Sequence, residues 1–225
     1  MYGEVTVVDD VPGAFSRRVI EAFQSRTDEI FCLALSGGST AQLCYEHLAR
    51  ASTQLIDWLA VNIYWGDERC VPADDPDSNQ RLGRRALLEE VGAANAVYPM
   101  NCDEGPDPYQ LRIGEVGKLD VVHLGVGPDG HTASLFPNSP GLDADPGQLV
   151  TLNEDPSGRN PHRRMSLTFA GIARARLAVI TVMGDEKRDI MAELAKGADL
   201  PAQHIRADRV LWLIDPAAAP ASLGA

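Results

Sequence analysis

Six short apolar runs, most of them leaving into a loop rich in glycine, serine or acid, constrain this chain more than any other feature. They are EVTVVD (4–9), IFCLALS (30–36), VNIYWGD (61–67), LDVVHLGVG (119–127), LAVITVMG (177–184) and VLWLID (210–215). The four in the middle are almost unbroken in apolar residues. A strand with one wet face would alternate, so these read as parallel strands covered on both faces. Between the runs lie amphipathic stretches. Residues 12–25 begin at Pro12 and place Phe15, Val19, Ala22 and Phe23 on one face; residues 40–51 bring Leu43, Cys44, His47 and Leu48 together. Residues 79–91 follow a cap at Asp77 or Ser78 and carry Leu82, Ala86 and Leu87 inward. Residues 185–196 open with Asp185 and Glu186 at the positive helix end and bury Ile190, Met191 and Leu194.

Strands alternating with helices require right-handed crossovers. The expected fold is α/β: a doubly wound, mostly parallel, Rossmann-like sheet with helices on both faces. The 225 residues, 44% of them hydrophobic, can fill one large core. No repeat or linker divides them. Residues 1–215 are expected to be a single domain, and 216–225 a flexible tail. Segments 70–79 and 137–165 are loop-rich, and long loops in a compact domain usually carry function.

Charge and cysteine usage narrow the function classes. A net charge of −12 opposes nonspecific nucleic-acid binding, which needs a basic surface. A local basic pocket inside an acidic envelope can still hold a small anion. Cys32, Cys44, Cys70 and Cys102 form no C-x-x-C and no Cys/His cluster with zinc spacing, so no metal is expected. MYGEVTVVDD lacks a basic, apolar leader pattern, and no apolar run nears the ~20 residues needed to cross a bilayer. These features predict a reduced, soluble, cytoplasmic protein without nucleic-acid or membrane partners, as a monomer or small homo-oligomer.

The fourth run leads into GVGPDGHTASLFP (125–137), where Gly125, Gly127 and Gly130 spell G-x-G-x-x-G. A dinucleotide site would also need a helix opening at the turn and a second strand ending in an acid ~20 residues on. Asp129 would oppose a pyrophosphate, and Asp143 and Asp145 lie in a Pro/Gly loop rather than after a strand. What remains is a turn that delivers Asp129, His131 and Thr132 to the carboxyl edge of the sheet, where open α/β folds bind ligands. His131 there can take a proton from water near neutral pH. His123 inside a strand and His47 within a helical face read as structural. The loop SGGST (36–40) opens a helix. Gly37 and Gly38 allow close backbone approach, and the N–H groups of Ser39 and Thr40 point outward: a phosphate cradle without the lysine of a P-loop. GDER (66–69) sets Asp67, Glu68 and Arg69 at a third strand end, where Arg69 can grip an oxyanion.

Taken together and in this order, LALSGGST, NIYWGDERCVPADDPDSN, LDVVHLGVGPDGHTASLFP, RRMSLT, VMGDEKR and LPAQHI resemble the 6-phosphogluconolactonase family, over most of the chain. The related glucosamine-6-phosphate deaminases share the loop order but usually read D-G-H-I-A-F-N-E-P at the His loop and lack GDER. The resemblance implies hydrolysis of 6-phospho-D-glucono-1,5-lactone to 6-phospho-D-gluconate in the pentose phosphate pathway, with no cofactor. On this reading His131 is the general base, Arg69 or backbone N–H groups near the glycine turns stabilise the oxyanion, and Asp129 or Asp67 orients the imidazole. Gly37, Gly38, Ser39, Thr40, Arg164 and Lys187 would hold the substrate, chiefly its phosphate. The alternatives are a deaminase/isomerase of glucosamine 6-phosphate and a noncatalytic sugar-phosphate sensor; the latter could dispense with His131 and Asp129.

Overall fold

The computed structural model describes residues 1–223. In chain order it contains β1 (Glu4–Val7), α1 (Val11–Gln24), β2 (Phe31–Leu35), α2 (Ser39–Ala51), β3 (Val61–Trp65), β4 (Asp67–Arg69), α3 (Asn79–Gly83), α4 (Glu89–Val91), β5 (Ala96–Val97), α5 (Asp107–Val116), β6 (Leu119–Leu124), β7 (Val150–Asn153), β8 (Arg164–Leu167), α6 (Phe169–Ile172), β9 (Ala175–Val182), α7 (Arg188–Ala195) and β10 (Arg209–Ile214). A turn of π-helix over Arg84–Leu88 joins α3 to α4, so 79–91 runs as one helical stretch. Short 3-10 turns fill several of the remaining connections.

Among the described residues, seven strands form one sheet in the order β1-β10-β9-β6-β2-β3-β5, with every pairing parallel. From β2 the chain steps to β3 and β5 on one side, then returns to lay β6, β9 and β10 on the other. The direction of winding therefore reverses between β2 and β6, which pair directly through Leu33↔Val121. A reversal of this kind opens a crevice at the carboxyl ends of the strands, because the two connections leave toward opposite faces. Every residue of β2 and β6 is buried, as their unbroken apolar runs required.

Local chemistry sets the helix ends. Asp10 caps α1 by accepting the Gly13 N–H at 2.9 Å, with Pro12 in the first turn. Ser78 caps α3 by accepting the Arg81 N–H. Phe15, Val19 and Phe23 of α1 are buried as expected, each such side chain contributing roughly 1.5–3 kcal/mol. Leu43 is an exception: it faces solvent on α2, while Cys44 and Leu48 are buried.

Four expectations are corrected. The run 61–67 is not one strand. The chain leaves the large sheet at Gly66, whose N–H donates to Leu35 O and whose carbonyl accepts from Leu167 N. Asp67–Arg69 then joins a separate antiparallel sheet, β4-β8-β7. The loop-rich segment 137–165 contains β7, one strand of that sheet. The expectation of a fully reduced chain is overturned by a disulfide between Cys70 and Cys102, whose Cα atoms lie 5.5 Å apart; a contact between residues 32 apart leaves no spacing signature. Cys32 and Cys44 are free and buried, as expected. The segment after Asp215 is tied down rather than loose as far as Leu223. Ala218 is fully buried, its N–H donates to Asp215 Oδ1, and Arg188 Nε donates to Ala217 O. Residues 224–225 of the expected tail lie outside the described residues. No described helix is long and apolar enough to cross a membrane.

Candidate active site

The switch between β2 and β6 brings the three loops together. Gly37 and Gly38 after β2, Asp67 and Arg69 on β4, and His131 after β6 line one cleft of about 220 Å³; Arg164 and Lys187 complete its wall. Ser39 and Thr40 line an adjoining hollow of about 150 Å³, which shares Gly37, Gly38 and Lys187 with the cleft. Asp129 sits behind the histidine. Lys187 closes the 3-10 turn Asp185–Lys187 that leads from β9 into α7.

His131 is held from several sides. Its Nδ1 donates to Asp129 Oδ1 at 2.5 Å, and its backbone N–H reaches the same oxygen at 3.2 Å. The Phe136 ring lies edge-on to it, with centroids 4.9 Å apart. The loop is pinned where Gly127 N donates to His131 O and Thr132 Oγ1 to Gly125 O. With Nδ1–H committed to a carboxylate, Nε2 carries the lone pair. Burial pushes the Asp129 carboxyl up, but the hydrogen bond and charge of His131 outweigh it and hold the group below the usual carboxylate range. The second glycine of the motif has a plain steric role: a Cβ on Gly127 would lie 2.1 Å from His131 Cε1 and Nδ1. This glycine makes room for an imidazole, not for a pyrophosphate.

Of the two carboxylates considered as the partner of His131, Asp129 makes the contact. Asp67 is engaged elsewhere. Its Oδ2 accepts from Ser134 Oγ at 2.6 Å, and its Oδ1 from Asn79 Nδ2 at 3.2 Å. Glu68 points away from the cleft. Its carboxylate takes the N–H groups of Arg69, Asn79 and Gln80 and the Ser78 hydroxyl, anchoring the start of α3. Burial nonetheless raises its pKa.

Two arginines face each other across the small sheet, because Arg69 pairs in register with Arg164. Arg69 Nη1 donates to Asp77 O at 2.6 Å, and Arg164 Nη2 to Pro161 O at 3.3 Å. In both guanidinium groups Nε is buried without a partner. Burial first, and then the Arg69 charge, lower the Arg164 pKa. Like charges placed opposite one another are destabilising unless an anion joins them.

Several polar residues at the site were not anticipated. Ser134 N donates to Ser166 Oγ, and Asn153 Nδ2 to Ser134 O. Asn160 lines the cleft on a loop knotted by Asp155, which accepts from Ser157 and Asn160 through both backbone and side chain. Burial raises the Asp155 carboxyl, and these four bonds then bring it well below the usual range. His162 Nε2 meets Asp77 Oδ2 at 3.0 Å and ties the 70–79 loop to this one. His123, read as structural, is fully buried between Tyr45 Oη and Thr181 Oγ1. Among the described residues no group of three or more His, Cys, Asp or Glu is placed to hold a metal ion.

The profile of the family described as "Glucosamine-6-phosphate isomerases/6-phosphogluconolactonase" matches residues 5–212. The chain belongs to this family. The 6-phosphogluconolactonase of Synechocystis sp. is 36% identical in an alignment of 203 positions that covers 81% of this chain and 81% of that one. The crystal structure of 6-phosphogluconolactonase from Thermotoga maritima superimposes with a TM-score of 0.80 at 27% identity, covering 94% of this chain and 99% of that one. A monomeric glucosamine-6-phosphate deaminase also superimposes with a TM-score of 0.80, at 17% identity and over 96% of this chain and 98% of that one. The last likeness is one of fold alone. The two activities in the family description share an architecture, and side chains must separate them.

Proposed function

We propose that the chain hydrolyses 6-phospho-D-glucono-1,5-lactone to 6-phospho-D-gluconate, the lactone-opening step of the pentose phosphate pathway. The observation that carries this reading is the Asp129–His131 pair, with His131 lining a cleft whose other walls are cationic and glycine-lined. Relatives named 6-phosphogluconolactonase, similar over most of the chain, support it.

In this reading the phosphate binds at the SGGS turn with Arg164 and Lys187, where helix-start N–H groups and two cations favour a dianion. His131 Nε2 takes a proton from water as the water oxygen bonds to the lactone carbonyl carbon. Arg69 stabilises the oxyanion that develops. The intermediate collapses, the bond from the carbonyl carbon to the ring oxygen breaks, and the imidazolium returns its proton to that oxygen. Asp129 fixes the tautomer and supports the imidazolium. Binding of the remote phosphate supplies orientation at the reacting carbon.

The test is an assay on freshly prepared lactone, corrected for spontaneous opening, run beside glucosamine 6-phosphate. Lactone opening well above the blank, without ammonia from the amino sugar, is the expected result. Ammonia release would establish the deaminase reading. Tight sugar-phosphate binding with neither reaction would establish a sensor.

A further inference from the structure

We infer that Asn79 is a positioning residue that clamps the Gly37 turn to the strand carrying Asp67 and Arg69. The inference rests on the functional reading above for what the turn binds, but the clamp itself is a matter of geometry.

Asn79 is 1% exposed and sits at the first position of α3. Its Nδ2 donates to Asp67 O at 2.9 Å and to Asp67 Oδ1 at 3.2 Å. Both partners only accept, so they fix which end of the amide faces β4. Oδ1 must then face the other way, and it does so without a donor. What it meets is Gly37. A Cβ added to that glycine would lie 1.8 Å from Asn79 Oδ1 and 2.4 Å from Cγ. The amide oxygen therefore occupies the place of the missing side chain at position 37.

The backbone of Asn79 is equally committed. Its N–H donates to Glu68 Oε1 at 2.7 Å, and the neighbouring Gln80 N–H to Glu68 Oε2 at 2.7 Å. The start of α3, two successive residues of β4 and the turn after β2 thus form one buried block. A buried amide oxygen without a donor is unfavourable, and an apolar side chain of similar size would avoid it. An amide here does what an apolar group cannot: one end holds Asp67 while the other sets the height of the turn that receives the anion.

The experiment is a double-mutant cycle with Gly37→Ala, Asn79→Ala and the pair together, read by titration with inorganic phosphate and by KM and kcat on the lactone. Gly37→Ala is expected to weaken phosphate binding and raise KM about tenfold, because its Cβ collides with the amide and displaces the turn. Asn79→Ala is expected to raise both about threefold while kcat changes less. In the pair, the new Cβ fits the space left by the amide, and binding should return to within about threefold of Asn79→Ala alone. Effects that simply multiply would overturn the clamp. Should Gly37→Ala not fold, the melting curve decides: a folded double variant supports the contact, and an unfolded one overturns it. Phosphate titration needs no turnover, so a wild-type chain that binds phosphate but opens no lactone would sink the functional reading and leave the clamp testable.

Discussion

The His131 ring fills the space that a side chain on Gly127 would take, with ring atoms 2.1 Å from where that Cβ would lie. The ring can swing away from an intruding methyl, but only by giving up its 2.5 Å bond to Asp129. Gly127→Ala should therefore fold normally and lose catalysis. The expected fall in kcat is roughly 10²-fold, with an unchanged far-ultraviolet circular dichroism spectrum and little change in KM.

The Asp129–His131 pair predicts an order of damage. His131→Ala should lower kcat by about 10² to 10⁴ with KM nearly constant, because a positioned base acts on the transition state. Asp129→Ala leaves the imidazole in place without its tautomer partner and should cost about tenfold less than that. Turnover by His131→Ala equal to wild type would remove the base from the mechanism.

Arg164 and Lys187 act at the far end of the substrate. Arg164→Ala and Lys187→Ala should each raise KM by roughly ten- to a hundredfold while kcat falls less, as for charge-assisted bonds made equally in ground and transition states. Arg164 is 6% exposed, so its removal also disturbs packing; Lys187→Ala should not lower the melting temperature. A kcat loss with constant KM in the Lys187 variant would place that lysine at the reacting carbon instead.

His123 gives stability a pH dependence that is separate from activity. Burial lowers its pKa from 6.5 to about 3. Below pH 6.5 the unfolded chain binds a proton there that the folded chain does not. Stability therefore falls as pH drops from about 6.5 toward 3, by up to about 1.4 kcal/mol per pH unit from this group. Urea unfolding at pH 7 and pH 4.5 should show a larger loss for the wild type than for His123→Asn. Equal losses would mean that the buried ring does not stay neutral.

The middle strands were legible because burial on both faces leaves little alternation to misread. All six runs supply a parallel strand, the third only as far as Trp65, and SGGST, GDER and PDGHT follow three of their carboxyl ends, GDER as a strand of the second sheet rather than a loop. The break at Gly66 was hidden because VNIYWGD reads as one run, and a change of sheet leaves no trace in hydropathy. Helix α5 escaped notice since only Tyr109 and Ile113 of its ten residues are buried, too few to print a period. At the site, residue types at strand ends could be read, but their couplings could not. The choice of Asp129 over Asp67 turned on a bond from Ser134 Oγ to Asp67 across 67 positions of sequence. Asn79 falls in the quoted DSN stretch, but its role, like that of Asn160, could not be read for the same reason: each acts through a fold-dependent neighbour rather than through a local pattern.

The departure at Gly66 divides the cleft between two hydrogen-bonded sheets that remain cross-braced. His131 follows a strand of the large one, and the facing arginines stand on a three-stranded ribbon that Gly66 joins to it by backbone bonds and that Ser134, three residues past His131, grips through Asp67 and Ser166. Because Ser134 bonds to both Asp67 and Ser166, a displacement of the cationic wall is transmitted to the loop that seats the imidazole.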